Sequence, residues 1–295
     1  MLARRIIPCL EVADGQTMKN ATAGGGDPVE LARFYSSAGA DELLMMFSSA
    51  AELERPNQMQ DLLEGLCADV FLPIIIGGGI EVPAQARALL RAGADRVVID
   101  AAAIRKPETI DAVARLIGSE RLVVGMVVKP RRERSPDDSH ADQPLAASGY
   151  EVLSGDGERS TGRDAVEWAC EAVSRGAGEL LVIDEATRRA AGGGYELDLL
   201  AVMSAAVPVP VLAFGGARHA GHFVSAFEAG LAGAVASGIF HSRETSIKRI
   251  KRDCLDAGLP IRPLPVEEEA GPGAAAPASA SSANTSPAAI PGDGA

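Results

Sequence analysis

No two cysteines in this chain stand at C-x-x-C spacing. The four present, Cys9, Cys67, Cys170 and Cys254, read as small buried apolar residues in a reducing compartment. Long apolar runs are missing as well. None approaches the ~20 residues that a membrane-spanning helix needs, and Ile6-Ile7-Pro8-Cys9-Leu10 is too short for a secretory signal. A basic excess is also absent: 28 Lys and Arg face 40 Asp and Glu, a formal net charge of −12, with pI about 4.9. Broad binding to nucleic acid or to an anionic membrane needs the opposite sign, although a local basic pocket for a phosphorylated metabolite stays open. The G-x-G-x-x-G dinucleotide fingerprint does not occur. His219, His222 and His241 share no spacing with an acidic or cysteine set, so neither a metal nor a cofactor is expected. The expectation is a soluble, cytoplasmic protein.

What is present is a repeat. Ala38-Gly39-Ala40-Asp41-Glu42-Leu43-Leu44 returns as Arg175-Gly176-Ala177-Gly178-Glu179-Leu180-Leu181, and Gly78-Gly79 returns as Gly215-Gly216. Arg91-Ala92-Gly93 before Val97-Val98-Ile99 returns as Glu228-Ala229-Gly230 before Ala234-Val235-Ala236. All three pairs are 137 positions apart, and one shared offset argues for two homologous halves. Eight short apolar runs, 5–11, 42–47, 72–77, 96–100, 122–128, 179–184, 210–214 and 233–237, lack polar alternation. They read as strands buried on both faces, as in a parallel sheet covered by helices. Amphipathic stretches at 28–38, 57–67, 83–92, 107–117, 163–175, 196–205, 218–229 and 243–256 alternate with them. The pattern is that of an α/β (β/α)8 TIM barrel made of two half-barrels. An open doubly wound sheet is the rival, but it does not predict a halved chain with matching glycine turns.

The expected organisation is a barrel over 1–263 and a disordered Ala/Pro/Ser-rich tail over 264–295. Residues 129–148 are charged and aperiodic. They read as a long loop after the fifth strand, with a small hairpin at Tyr150–Leu153 before Gly155-Asp156-Gly157. Gly78 and Gly79 after strand 3, and Gly215 and Gly216 after strand 7, suit close backbone approach to a phosphate; tight turns are the plainer reading of either pair alone. Arg5, Glu42, Arg96 and Glu179 start strands and read, from spacing alone, as a paired or solvated structural layer. Trp168, the single tryptophan, reads as helix packing.

Several segments together resemble a known family. They are Leu2-Ala3-Arg4-Arg5-Ile6-Ile7-Pro8-Cys9-Leu10, Asp14-Gly15, Lys19, Gly26-Asp27-Pro28-Val29-Glu30-Leu31 and Ile76-Gly77-Gly78-Gly79-Ile80. Thr161 to Ala169, Arg175 to Glu179, Phe214-Gly215-Gly216-Ala217 and Ile239-Phe240-His241 complete the set. This pattern is similar to the cyclase subunit of imidazole glycerol phosphate synthase, with the chain a divergent member. The resemblance implies ammonia-dependent closure of an imidazole ring on a bisphosphorylated ribulosyl substrate, a lyase step of histidine biosynthesis. It also implies a glutaminase partner on the N-terminal barrel face, delivering ammonia through the barrel.

Carried over residue by residue, the resemblance implies Glu11 as the strand-1 acid/base, with Lys19 steering or stabilising negative charge. The family's strand-5 aspartate falls at Val127, and a third rim aspartate at Phe47. Gly79, Gly216, Ser237 and Gly238 match phosphate-binding positions, beside Gly78 and Gly215. Asp100-Ala101 replaces an Asn-Thr pair, and Arg189-Ala190 falls near an Asp-Gly. Arg188 and Arg189 could attract phosphate, whereas Asp100 would repel it. Asp137 and Asp138 could stand in for the missing carboxylate. Arg5, Glu42, Arg96 (Lys in the family) and Glu179 match the ammonia gate, and Asp95 a partner-facing position. The alternative expectation is a non-catalytic or repurposed paralogue that docks a glutaminase and delivers ammonia to another phosphosugar.

Overall fold

The computed structural model describes residues 3–13, 16–17, 26–47, 56–131, 147–154, 157, 159–185, 187, 193–241 and 245–264. Contacts divide the chain into Met1–Leu264 and Pro265–Ala295; the second unit, with the expected tail, lies outside the described residues.

Eight parallel strands close into a barrel. They are β1 (Arg5–Ala13), β3 (Leu43–Phe47), β4 (Ile74–Gly77), β5 (Arg96–Ile99), β6 (Leu122–Pro130), β9 (Glu179–Asp184), β10 (Val211–Phe214) and β11 (Gly233–Ala236). Pairing runs in that order and returns from β11 to β1. All eight coincide with the apolar runs, because strands buried on both faces need no polar alternation. One face fills the barrel: Ile7, Cys9, Leu44, Ile75, Val98, Val123, Leu181, Leu212 and Val235 form a single interior cluster. The other face packs beneath the helices. Each fully buried Leu, Ile or Val contributes about 1.5–3 kcal/mol.

The outer layer holds helices α1 (Pro28–Ser37), α2 (Pro56–Cys67), α3 (Pro83–Arg91), α4 (Ala101–Arg105) and α5 (Glu108–Ile117). Beyond β6 come α6 (Ala165–Ser174), α7 (Leu197–Ala206), α8 (Ala220–Glu228), α9 (Gly238–His241) and α10 (Ile247–Asp256). The short α4 and α9 were not expected, since one turn leaves no period to read. Trp168 is buried on α6 with the Arg163 guanidinium 4.9 Å above its ring. Among the described residues no helix is long and apolar enough to cross a membrane.

The repeat is physical. Asp27 caps α1, accepting from Val29 N at 2.7 Å. Its mate 137 residues on, Asp164, caps α6, accepting from Val166 N at 2.8 Å and Glu167 N at 3.1 Å. Both helices end alike. Ala40 N donates to Tyr35 O (3.1 Å) and Ala177 N to Ala172 O (3.0 Å), across Gly39 and Gly176 at φ +88° and +115°. That left-handed closure is why glycine stands at both positions.

Two features depart from the sequence reading. The helix expected over 163–175 begins at Ala165, because Arg159–Asp164 is a strand, β8, paired antiparallel with β7 (Tyr150–Ser154). β7 in turn pairs antiparallel with the end of β6, from Val127 to Pro130. The expected hairpin is therefore larger and hangs from barrel strand β6. A second hairpin, unforeseen, folds β2 (Gln16–Thr17) back on Val12 and Ala13. Most of the 129–148 loop, with Asp137 and Asp138, lies outside the described residues.

Asp164 also accepts from Ser148 N at 2.6 Å, tying the hairpin to α6. Burial alone would raise its pKa, but hydrogen bonds from Ser148, Glu167 and Val166 outweigh it and hold the carboxyl below its usual value. The unfolded chain therefore binds the proton more readily. The stabilisation is present above the ordinary carboxylate pKa and is lost as pH falls through the folded value. Replacing Asp164 by Ala should lower stability at pH 7 by about 1–2 kcal/mol, read by chemical denaturation, with the difference shrinking at acid pH.

Candidate active site

Along a strand, alternate residues face the barrel interior. On β1 these are Arg5, Ile7, Cys9 and Glu11; on β5, Arg96 and Val98, then Asp100 just past its end; on β9, Glu179, Leu181 and Ile183. Glu42, just before β3, precedes Leu44 and Met46. The same alternation that fills the middle with apolar side chains therefore puts charge at both ends.

At the strand starts the four charges close on one another. Arg5 Nη1 lies 3.0 Å from both oxygens of Glu42, and its Nη2 bonds Glu179 Oε1. Arg96 Nη1 donates to Glu179 Oε2 at 2.6 Å, and its Nη2 to Glu42 Oε1. Each arginine thus bridges the same two glutamates in a neutral ring. Side-chain exposure is 18% for the arginines and 7% and 4% for Glu42 and Glu179, so the ring is paired and largely dry. Burial pulls the Arg5 pKa down, but the Glu179 and Glu42 carboxylates outweigh it and hold it above its ordinary value. Asp95 is exposed beside the ring, and its Oδ2 accepts from Ile74 N at 2.8 Å. Asp41 does the same for Ile6 N at 2.9 Å, while also accepting from Lys251 Nζ at 2.6 Å.

The opposite rim is mixed. Glu11 is half-buried, in register with Met46. Val127 is in register with Ile183. With Met46 and Phe214 these two extend the apolar interior to the mouth. Phe47 packs against the outer core instead. Asp100 sits at the end of β5 and caps α4, Oδ1 accepting from Ala101 N at 2.7 Å. Lys19, Arg188 and Arg189 lie outside the described residues.

The glycine turns differ between the halves. Gly78 and Gly79 adopt φ +100° and +71°. A Cβ on Gly78 would sit 2.1 Å from Phe47 O, so close approach to the end of β3 already requires glycine there. Gly215 and Gly216 are not left-handed. Gly216 N donates to Gly194 O at 2.9 Å, and Gly194 N returns the bond at 3.2 Å. That ladder joins the loops after β9 and β10 and engages the Gly216 N–H that the sequence reading offered to phosphate. Ser237 is buried, and its carbonyl accepts from Phe240 N (3.1 Å) and His241 N (3.3 Å), so it starts α9 with Gly238 next.

The three histidines among the described residues contact other side chains. His241 Nδ1 lies 2.8 Å from Tyr35 Oη, and burial holds its pKa down. His219 and His222 stack with ring centroids 3.7 Å apart. Among the described residues no group of three His, Cys, Asp or Glu could hold a metal ion.

The histidine biosynthesis protein family model matches residues 5–246. The chain belongs to this family. It is 36% identical over 269 residues to the imidazole glycerol phosphate synthase subunit HisF of Gluconacetobacter diazotrophicus, covering 90% of this chain and 98% of that protein. It is 39% identical over 267 residues to the HisF subunit of Caulobacter vibrioides, covering 89% and 97%. The chain is thus HisF-like along nearly the whole length of those subunits.

Within this family chain, the structure brings Arg5, Glu42, Arg96 and Glu179 into contact and places Glu11 and Asp100 at the other end of the same barrel. Sequence reading passed over Glu185. It continues the period of Glu179, Leu181 and Ile183, so the signal was present. Its carboxyl lies near Val127, since a Cβ on Gly157 would be 3.5 Å from Glu185 Cδ and 3.2 Å from Val127 Cγ1.

Breaking the ring leaves buried charge unpaired. Glu179→Gln should destabilise the barrel by about 3 kcal/mol in urea denaturation. Glu171→Gln, which breaks the exposed pair with Arg175, should cost about 0–1 kcal/mol.

Proposed function

We propose that the chain is the cyclase subunit of an imidazole glycerol phosphate synthase, taking ammonia through the barrel to close an imidazole ring in histidine biosynthesis. The observation that carries this reading is the closed Arg5–Glu42–Arg96–Glu179 ring at one end of a barrel with Glu11 at the other. Ammonia is small and neutral. It needs only a momentary parting of ring contacts, after which the side chains of Ile7, Leu44 and Leu181 offer no competing hydrogen-bond partner. A dry path also keeps water from the reacting carbon.

On this reading a glutaminase docks on the face that carries Asp95 and the ring. The bisphosphorylated ribulosyl substrate lies across the rim, its phosphates near Gly78 and Gly79 on one side and near Gly215, Gly216, Ser237 and Gly238 on the other. Glu11 exchanges protons at the forming ring, and Lys19 balances negative charge. All of these groups fall within the 1–263 barrel, and none in the 264–295 tail. The protein works in the cytoplasm without a cofactor.

Purified chain supplied with ammonium salt and the ribulosyl substrate should turn over. Glu11→Gln should lose at least about 10²-fold in kcat while still binding the glutaminase in a pull-down. A mutant with the wild-type rate removes Glu11 from the mechanism.

A second reading is supported by the apolar lining at Val127 and Phe214 and by the engaged Gly216 N–H. It is a subunit that keeps the docking face and delivers ammonia to another phosphosugar. Absence of turnover with substrate binding intact in calorimetry favours it over cyclisation.

A further inference from the structure

The mouth holds a second carboxyl that the reading above leaves unused. Asp100 follows Arg96 and Val98 on the inward face of β5, and Val98 belongs to the interior cluster. The neighbouring strand makes room for it. β6 carries glycine at Gly125, between the inward residues Val123 and Val127, and a Cβ there would lie 3.0 Å from Val98 Cγ1 and 3.4 Å from Asp100 Cβ. Asp100 Cβ thus packs close against β6 at Gly125, one inward step below Val127, where only glycine leaves it room. Oδ1 is held by the Ala101 N–H, which fixes the side chain at the end of β5.

We propose that Asp100 is the proton donor of the ring-closing reaction, acting opposite Glu11 from β5 rather than from the strand-5 position that Val127 occupies. The inference rests on the cyclase reading. In the step concerned, ammonia adds to a substrate carbonyl carbon to give a carbinolamine. The Asp100 carboxyl proton passes to the carbinolamine hydroxyl, the C–O bond breaks and water leaves, and the nitrogen lone pair closes the C=N bond. Glu11 carboxylate then takes a proton from the iminium nitrogen. Asp100 ends ionised and Glu11 protonated, and a proton returned through solvent restores both.

The electrostatics agree with this assignment. Burial raises the Asp100 pKa above its ordinary value; the N–H groups of Ala101 and of Asp100 itself oppose the shift, Glu81 adds to it, and Arg105 opposes it. Val98 and Gly125, which flank it on β5 and β6, bring no charge. A carboxyl whose neutral form is favoured by burial is better suited to donate a proton than an ordinary aspartate.

The test is ammonia-dependent turnover by the full chain across pH at constant free ammonia, for wild type, Asp100→Asn, Asp100→Glu and Glu185→Gln. Asn keeps the oxygen that caps α4. Asp100→Asn should lower kcat by about 10²–10⁴-fold with KM changed less than threefold, and should remove the alkaline limb of the wild-type profile. Asp100→Glu should recover part of the rate. Three results overturn the inference: a near-wild-type kcat in Asp100→Asn, a loss confined to KM, or a loss in Glu185→Gln that Asp100→Asn does not share. Should Asp100→Asn fail to fold, the wild-type profile still decides, because a flat alkaline side overturns the assignment. No turnover by the wild type overturns the cyclase reading itself, and this inference with it.

Discussion

The ring of Arg5, Glu42, Arg96 and Glu179 constrains the rest of the molecule. Its members belong to β1, β5 and β9 and to the residue before β3, so one set of contacts fixes four of eight strands at one level. A slip of one residue in any of them would turn a charge out of the barrel and into the apolar layer beneath the helices, where nothing pairs it. Burying an unpaired charge costs far more than a salt bridge returns. The ring therefore acts as a register lock more than as a source of stability. Everything at the mouth is counted upward from it: Glu11 stands three inward steps above Arg5, Asp100 two above Arg96, and Glu185 three above Glu179.

The half-barrel repeat explains why the halves resemble each other in their frames and differ at their mouths. The frame is set by local rules that any αβ unit must satisfy. Asp27 and Asp164 cap the first helix of each half, and Gly39 and Gly176 close it. The mouth is set by what folds over it. In the first half, the end of β3 presses on Gly78. In the second, the Gly194–Gly216 ladder draws two loops together. Equivalent glycines thus answer different neighbours, and only the first pair takes left-handed backbone.

These distinctions explain what could be read from the chain. The eight barrel strands were legible because burial on both faces leaves an uninterrupted apolar run. β8 was not, since Arg-Ser-Thr-Gly-Arg-Asp is a polar hairpin strand whose partner, β7, supplies the apolar face. The ring charges were legible as charges at strand starts. That each arginine would bridge both glutamates depends on the stagger of closed strands, which no local pattern carries. The engaged N–H of Gly216 depends on Gly194, 22 positions away, in a loop without period. Phe214 read as part of an apolar strand, and its place at the rim follows only from where β10 ends.

The composition of that rim bears on its chemistry. Met46, Val127, Ile183 and Phe214 leave few polar groups to compete for a ligand's hydrogen bonds, and low polarity strengthens each one that remains. A carboxyl in such surroundings resists ionisation. Glu11 stands half-buried at the end of β1, and Asp100 stands where Gly125 lets β6 close on the end of β5. Val127, one inward step above Gly125, continues that apolar lining on β6.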